Sequence, residues 1–424
     1  MADRVERSPG FGETPISRRD LLKMAALGGA GLLLGGAGAG GLLTALERKG
    51  AAEKDRRYEA VPFYGAHQAG IVTPAQDFVV FAAFDLTTDS IAEVRKLFRA
   101  WTEAAAAMAA GGMIGDDNGN PNVPPSDTGE AAGLRPSRLT LTFGAGPSLF
   151  DGRFGLAGKR PPELQDLPAF PGDELLPEWT GGDLAVQACA NDLQAAFRAV
   201  RNLARIARGK AALRWVQEGF QRTGGADPSG GTPRNLMGFK DGTGNPDVTD
   251  DKAMNEIVWV QPGDGPAWMA GGTYMVVRRI RIRIEVWDRS TLADQEATFG
   301  RHRASGAPLG GSGEFDPVDL ERRGEDGQPL IPMNAHIRLA KADGVRILRR
   351  SYSYSSGLDR RTGQLDAGLL FIAFNRSTAK QFVPIQRRLS RSDKLNEYIV
   401  HTGSAVFAVF PGVREGGYIG DTLL

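Results

Sequence analysis

Apolar and polar positions along the chain switch between two periods, and each switch marks an element. Residues 77–86 are an almost unbroken run of Phe, Val and Ala, the pattern of a buried strand. Ser90-Ile-Ala-Glu93 is a capping box, and Ile91, Val94, Leu97, Phe98 and Trp101 then recur at helical spacing until Gly111-Gly112 stops the helix. Residues 113–136 are rich in Gly, Asp, Asn and Pro, so a mobile loop is expected there. Short strands are predicted at 139–143 and 183–190, a helix capped by Asn191 runs to about Arg208, and a fourth strand spans 213–220.

The second half shows a similar order without a repeat at the level of residues. A long strand is predicted at 274–287, alternating Arg with Ile or Val in places, and a short helix at 290–299. Strands follow near 345–352 and 368–374, then a helix at 378–389 and a closing strand at 405–410. Strand, helix, strand, strand, helix, strand is the ferredoxin-like pattern, so the expected class is α+β with two ferredoxin-like domains of antiparallel sheet and packed helices. The expected boundaries are a signal segment and linker at 1–50, an N-terminal domain at 51–250 and a C-terminal domain at 251–424.

The N-terminus changes this picture by subtraction. Ser17-Arg-Arg-Asp-Leu-Leu-Lys23 has the twin-arginine pattern and precedes a Gly- and Ala-rich apolar run from Met24 to Leu46. That run is long enough to cross a bilayer, but its glycines favour an export signal, with Ala37-Gly-Ala39 a possible cleavage site. Export by the twin-arginine pathway to the periplasm, cell envelope or medium is the expectation. Lys and Arg number 51 against 50 Asp and Glu, which argues against nucleic acid as the main partner. Cys189 is the only cysteine, so an internal disulfide and a Cys-x-x-Cys-His haem attachment are both excluded.

The candidate chemistry centres on Arg234-Asn-Leu-Met-Gly-Phe-Lys-Asp-Gly-Thr-Gly-Asn-Pro246, which sets Asp241 between Gly238 and Gly242. A loop with so many Gly, Asn and Pro residues can bring backbone close to a flat ligand while aiming one carboxylate at it, although Asp-Gly is also a common turn dipeptide. Four histidines are present: His67, His302, His336 and His401. By residue type alone each is first a structural or surface histidine. His336 lies in His-Ile-Arg-Leu-Ala340, and Leu348-Arg-Arg-Ser-Tyr-Ser-Tyr354 follows.

Together these stretches, with Phe63-Tyr-Gly-Ala-His-Gln68, Phe143-Gly-Ala-Gly-Pro-Ser-Leu-Phe150 and Gly368-Leu-Leu-Phe371, resemble the dye-decolorizing peroxidases, a haem family. The likeness covers most of the chain beyond Val61 and is nearest to the exported branch linked to iron uptake. It implies a non-covalent haem b, one per chain, in the C-terminal half near the domain interface. It implies His336 as the axial iron ligand, Asp241 as the distal acid and Arg349 as the distal arginine, with Arg350 the better candidate for a solvent-facing strand residue. It places Gly242, Thr243 and Gly244 against the porphyrin, together with the loop Lys341, Ala342 and Asp343. There the chain departs from the family's usual Asn-Pro-Arg; Lys341 could substitute as a point charge for a haem propionate, but Asp343 could not. Glu397 is the expected acceptor for the second imidazole nitrogen, with Asp366 the alternative.

The partners implied are hydrogen peroxide and an aromatic donor, iron-uptake components of the membrane, and further copies of the chain in a homo-oligomer. An aspartate acid, with an ordinary pKa of about 3.9, implies donor oxidation that is faster at acid pH. Two other activities share such a pocket: removal of iron from haem with the porphyrin intact, and haem carriage without catalysis.

Overall fold

The computed structural model describes residues 56–116, 119–227, 229–360 and 362–424, so the export segment lies outside the described residues. Nine strands are described: β1 (Phe78–Leu86), β2 (Thr140–Ala145), β3 (Leu184–Ala190), β4 (Ala211–Phe220), β5 (Thr273–Ile282), β6 (Leu348–Arg349), β7 (Tyr352–Asp359), β8 (Gln364–Asn375) and β9 (Ile399–Val409). The α-helices are α1 (Ile91–Ala109), α2 (Leu193–Ile206), α3 (Asp251–Ile257), α4 (Ile284–Trp287), α5 (Leu292–Phe299), α6 (His336–Lys341) and α7 (Phe382–Ser392).

All strand pairs are antiparallel and form one sheet in the order β5-β9-β2-β3-β1-β4-β7-β8-β6. β5 also pairs with β8 along eight residues, from Tyr274↔Asn375 to Arg281↔Gly368, so the sheet closes into a barrel. With β6 and β7 counted as one interrupted strand, in each half the fourth strand lies beside the first, the first beside the third, and the second outermost. The seams between halves are short. β2 meets β9 at Gly144↔Val409 and Ala145↔Ala408, and β4 meets β7 at Phe220↔Ser353. Gln68 reinforces the first seam, donating to the carbonyls of Phe143 and Phe410 and accepting from Phe143 N at 2.8 Å.

Alternation sorts side chains to the two faces. Val79, Phe81, Trp215, Met275, Val277, Tyr352, Tyr354, Phe374 and Phe407 fill the barrel. Val80, Phe84, Phe143, Val186 and Val406 point outward under the helices. α1 supplies Val94, Leu97, Phe98, Trp101 and Met108 to that outer core, and Trp101 Nε1 donates to Leu203 O of α2 at 2.9 Å. Each large side chain sealed here contributes about 1.5–3 kcal/mol of burial.

Several element boundaries differ from the sequence expectation, each for a local reason. The long strand at 274–287 ends at Ile282, because Arg283 N turns to Tyr398 O and α4 then buries Trp287 against Met237 O. Asp192, not Asn191, caps α2, since the Asn191 side chain is engaged with Arg57 O and Asp77 N. The closing strand starts at Ile399 rather than 405, and so includes His401. The strand near 345–352 is interrupted at Arg350-Ser351, although Leu348↔Phe374 and Tyr352↔Leu370 keep a single register. Residues 113–136 carry no regular element among those described, but the buried Asp127–Arg198 pair pins that loop to α2.

Candidate functional site

The Asp241 loop is held by its own polar residues. Asn235 accepts from Met237 N at 3.0 Å and donates its backbone N–H to Phe239 O, and Asp241 N donates to Pro233 O at 2.8 Å. Lys240 pairs with Glu314, whose other oxygen accepts from Thr243 Oγ1 at 2.9 Å, so one carboxylate grips the loop on both sides of Asp241. Between them Gly242 takes φ 129°, a conformation that a side chain would strain.

Arg349 reaches this loop from β6. Its guanidinium Nη1 donates to Asp241 Oδ1 at 2.7 Å. Asn245 fixes the backbone beneath it, donating from Nδ2 to Arg349 O at 2.8 Å and accepting from Arg349 N at 3.2 Å. A Cβ built on Gly244 would meet only Arg349, at 4.0 Å, so the loop backbone borders open space beside the guanidinium.

His336 opens α6, and its Nδ1 lies 2.6 Å from Asp393 Oδ2. The Asp393 carboxylate is 2% exposed and also accepts from Leu395 N at 2.9 Å, so its position is fixed by backbone. Burial lowers the His336 pKa, but the Asp393 charge and hydrogen bond outweigh that and hold it above the ordinary value; Arg349 opposes and Asp241 adds. The Arg349 and Asp241 charges thus both reach the imidazole. With Nδ1 engaged, Nε2 is the free nitrogen, and the ring keeps 32% of its exposure. The Phe299 ring stands edge-on to it at 6.2 Å.

The remaining expectations divide. Lys341, Ala342 and Asp343 are exposed at the end of α6, and Asp343 is taken by Arg388 in a bidentate pair at 2.5 and 2.9 Å. The acceptor for His336 is Asp393 rather than Glu397 or Asp366, because α7 ends at Asp393 directly against α6, while Asp366 is bonded to Arg279 at 2.8 Å. Arg350 does not face solvent: strand alternation turns it into the barrel, 5% exposed, onto Thr73 O and Gln76. The other histidines are engaged elsewhere. His67 stacks on Trp259 at 3.8 Å, His302 meets Glu296 at 2.9 Å, and His401 is buried near Arg278 and Asp173. Asp393, Asn245 and Glu314 were not singled out from sequence. Asn245 alone carried a signal, its place in the Asp241 loop.

These residues fit a haem. The donor set is one imidazole with a free nitrogen and a fixed orientation, and among the described residues no three His, Cys, Asp or Glu side chains cluster to hold a bare ion. A lone imidazole suits an iron whose other ligands come with a porphyrin.

Comparison with known proteins agrees with this chemistry. Residues 68–221 match the family model for the N-terminal part of Dyp-type peroxidases, and residues 232–414 match the model for the C-terminal part. Deferrochelatase of Escherichia coli is 40% identical over 417 residues, covering 96% of this chain and 97% of that protein. A DyP-type peroxidase from Streptomyces coelicolor superposes with a TM-score of 0.81 at 40% identity, covering 87% of this chain and 98% of that one. DtpA from Streptomyces lividans, solved as an oxyferrous/water mixed complex, gives the same values. The matches span nearly the whole chain, and the chain belongs to the DyP-type peroxidase family of haem enzymes.

Proposed function

We propose that the protein binds one haem b per chain through His336, reduces hydrogen peroxide, and oxidises aromatic, dye-type donors. The observation that carries this is the Asp241–Arg349 pair set within electrostatic reach of an imidazole whose second nitrogen is already committed to Asp393. Cys189 is buried in the barrel core, which supports non-covalent binding.

Haem, when bound, supplies the iron at which peroxide is reduced. Asp241 takes the proton from the near oxygen of the peroxide and returns it to the departing oxygen. Arg349 stabilises the negative charge that develops as the O–O bond breaks, and its hydrogen bond keeps Asp241 in position until then. Asp393 holds the His336 proton at Nδ1 and thereby keeps Nε2 available. Gly242, Thr243 and Gly244 would border the porphyrin, with Glu314 holding Thr243 in place. Peroxide takes up two electrons and two protons to give two waters, and the donor provides the electrons.

A second reading is release of iron from haem with the porphyrin intact, coupled to membrane components of iron uptake. It is favoured by the near full-length identity to proteins named deferrochelatase. Simple haem carriage would leave the Asp241–Arg349 pair without a task.

The wider expectations complete the proposal. The halves 51–250 and 251–424 are read as two ferredoxin-like domains, supported by the same strand order in each, with the haem in the C-terminal half near their interface. Twin-arginine export rests on Ser17–Lys23. Assembly as a homo-oligomer is supported by the exposed apolar pair Leu358↔Leu365 on β7 and β8.

The test is the absorbance of the haem-loaded protein before and after one equivalent of hydrogen peroxide. A Soret band that changes within seconds and recovers on adding an aromatic donor supports the peroxidase. An unresponsive band with the appearance of free porphyrin fluorescence moves the assignment to iron release.

A further inference from the structure

We propose that Arg301 binds a carboxylate at the edge of the cofactor, a haem propionate. The inference rests on the haem reading above and concerns which residue of this chain meets the anionic group.

Residues 299 and 300 pack against the segment that carries the imidazole. Phe299 stands against the His336 ring. A Cβ on Gly300 would lie 2.5 Å from Ile337 Cγ2 and 3.3 Å from Ala335 Cβ, the residues flanking His336, and Gly300 has φ 77°. Glycine is therefore required where the segment crosses α6, and the next residue is delivered beside the site.

Arg301 is half-buried, and only one of its nitrogens is engaged: Nη1 donates to Gly306 O at 2.5 Å and to Glu314 O at 3.0 Å. Nε and Nη2 donate to no described group, yet neither is sealed from solvent. No described carboxylate bonds to this guanidinium. The nearest acid, Glu314, already spends its oxygens on Lys240 and Thr243. Burial lowers the Arg301 pKa, Glu314 offsets part of this, and the neighbouring Arg349 lowers it further. A desolvated cation beside a second cation, with two donors free and only carbonyls for partners, is a receptor for an anion. The guanidinium fork matches a planar carboxylate in particular. Asp343 cannot fill this role, having the wrong sign and being bound to Arg388.

The test compares haem with its dimethyl ester, which keeps the ring and iron but carries no free propionate. Apoprotein is titrated with each while the Soret band is followed, for the native chain, Arg301→Ala and Arg301→Lys. The expected result is a haem affinity about tenfold weaker in Arg301→Ala, with the ester held within about twofold and Arg301→Lys in between. Equal weakening toward both porphyrins would assign Arg301 a role only in holding its loop and would overturn the proposal, as would unchanged haem affinity. Failure of the native chain to bind either porphyrin would instead defeat the haem reading itself.

Discussion

Asp241 and Arg349 stand 108 positions apart in the chain and meet through one 2.7 Å hydrogen bond, with both side chains still partly open at 21% and 27% exposure. An acid so paired is positioned but not sealed, which proton transfer to and from a small ligand requires. Asp241→Asn preserves the shape and removes the proton acceptor. The reaction of the haem-loaded variant with peroxide should slow by roughly 100-fold or more, while haem affinity stays within about twofold. Stopped-flow absorbance reads this directly, and a variant as fast as the native chain would remove Asp241 from the mechanism.

Asn245 touches Arg349 only through backbone, by two hydrogen bonds of 2.8 and 3.2 Å. Asn245→Ala should release the β6 end that carries the guanidinium without removing any charge. The expected outcome is a kcat/KM for peroxide lower by about tenfold with an unchanged Soret spectrum. Arg349→Lys should not match it, because a lysine cannot reproduce the planar fork.

Asp393 is the group that sets the character of His336. Asp393→Asn should make the imidazole a weaker donor, raise the iron reduction potential and weaken haem binding about 10- to 100-fold. Spectroelectrochemical titration of the native and variant proteins measures the first effect. An unchanged potential would mean that the bond orients the ring without tuning it.

His401 links stability to pH. It lies on β9, 8% exposed, with Nδ1 3.7 Å from Asp173, whose carboxylate is already taken by Arg278. Burial, and after it the Arg278 charge, hold its pKa down to about 3. An unfolded histidine titrates near 6.5, so between pH 6.5 and about 3 the unfolded chain binds a proton that the folded chain refuses. Stability therefore falls as pH drops through that window, by up to ~1.4 kcal/mol per pH unit.

Urea midpoints at pH 7 and pH 5 should show this loss in the native chain, and His401→Gln should reduce it by roughly 2 kcal/mol. Asp127, lowered to about 2 mainly by Arg198 against the cost of burial, keeps its contribution down to pH 4 and does not confuse the comparison.

The sequence by itself determined the local part of this protein. The buried run at β1, the capping box and heptad-like apolar positions of α1, and the Gly- and Asn-rich Asp241 loop are all written in neighbouring residues, because period, caps and turn chemistry act within a few positions. It also put forward His336, Asp241 and Arg349 as candidates, by resemblance of motifs that keep their local form. What it did not contain was who meets whom. Arg349 and Arg350 are indistinguishable as a dipeptide, and only the pairing of β6 with β8 turns one to the cleft and the other into the barrel. Asp393 lies 57 residues from His336 and carries no motif, so Glu397 was as eligible on sequence grounds. Barrel closure likewise depends on the β5–β8 ladder and two seams only one or two residue pairs long. Side-chain alternation is local, but its sign, and the partner across a gap, are fixed only when distant strands find their register.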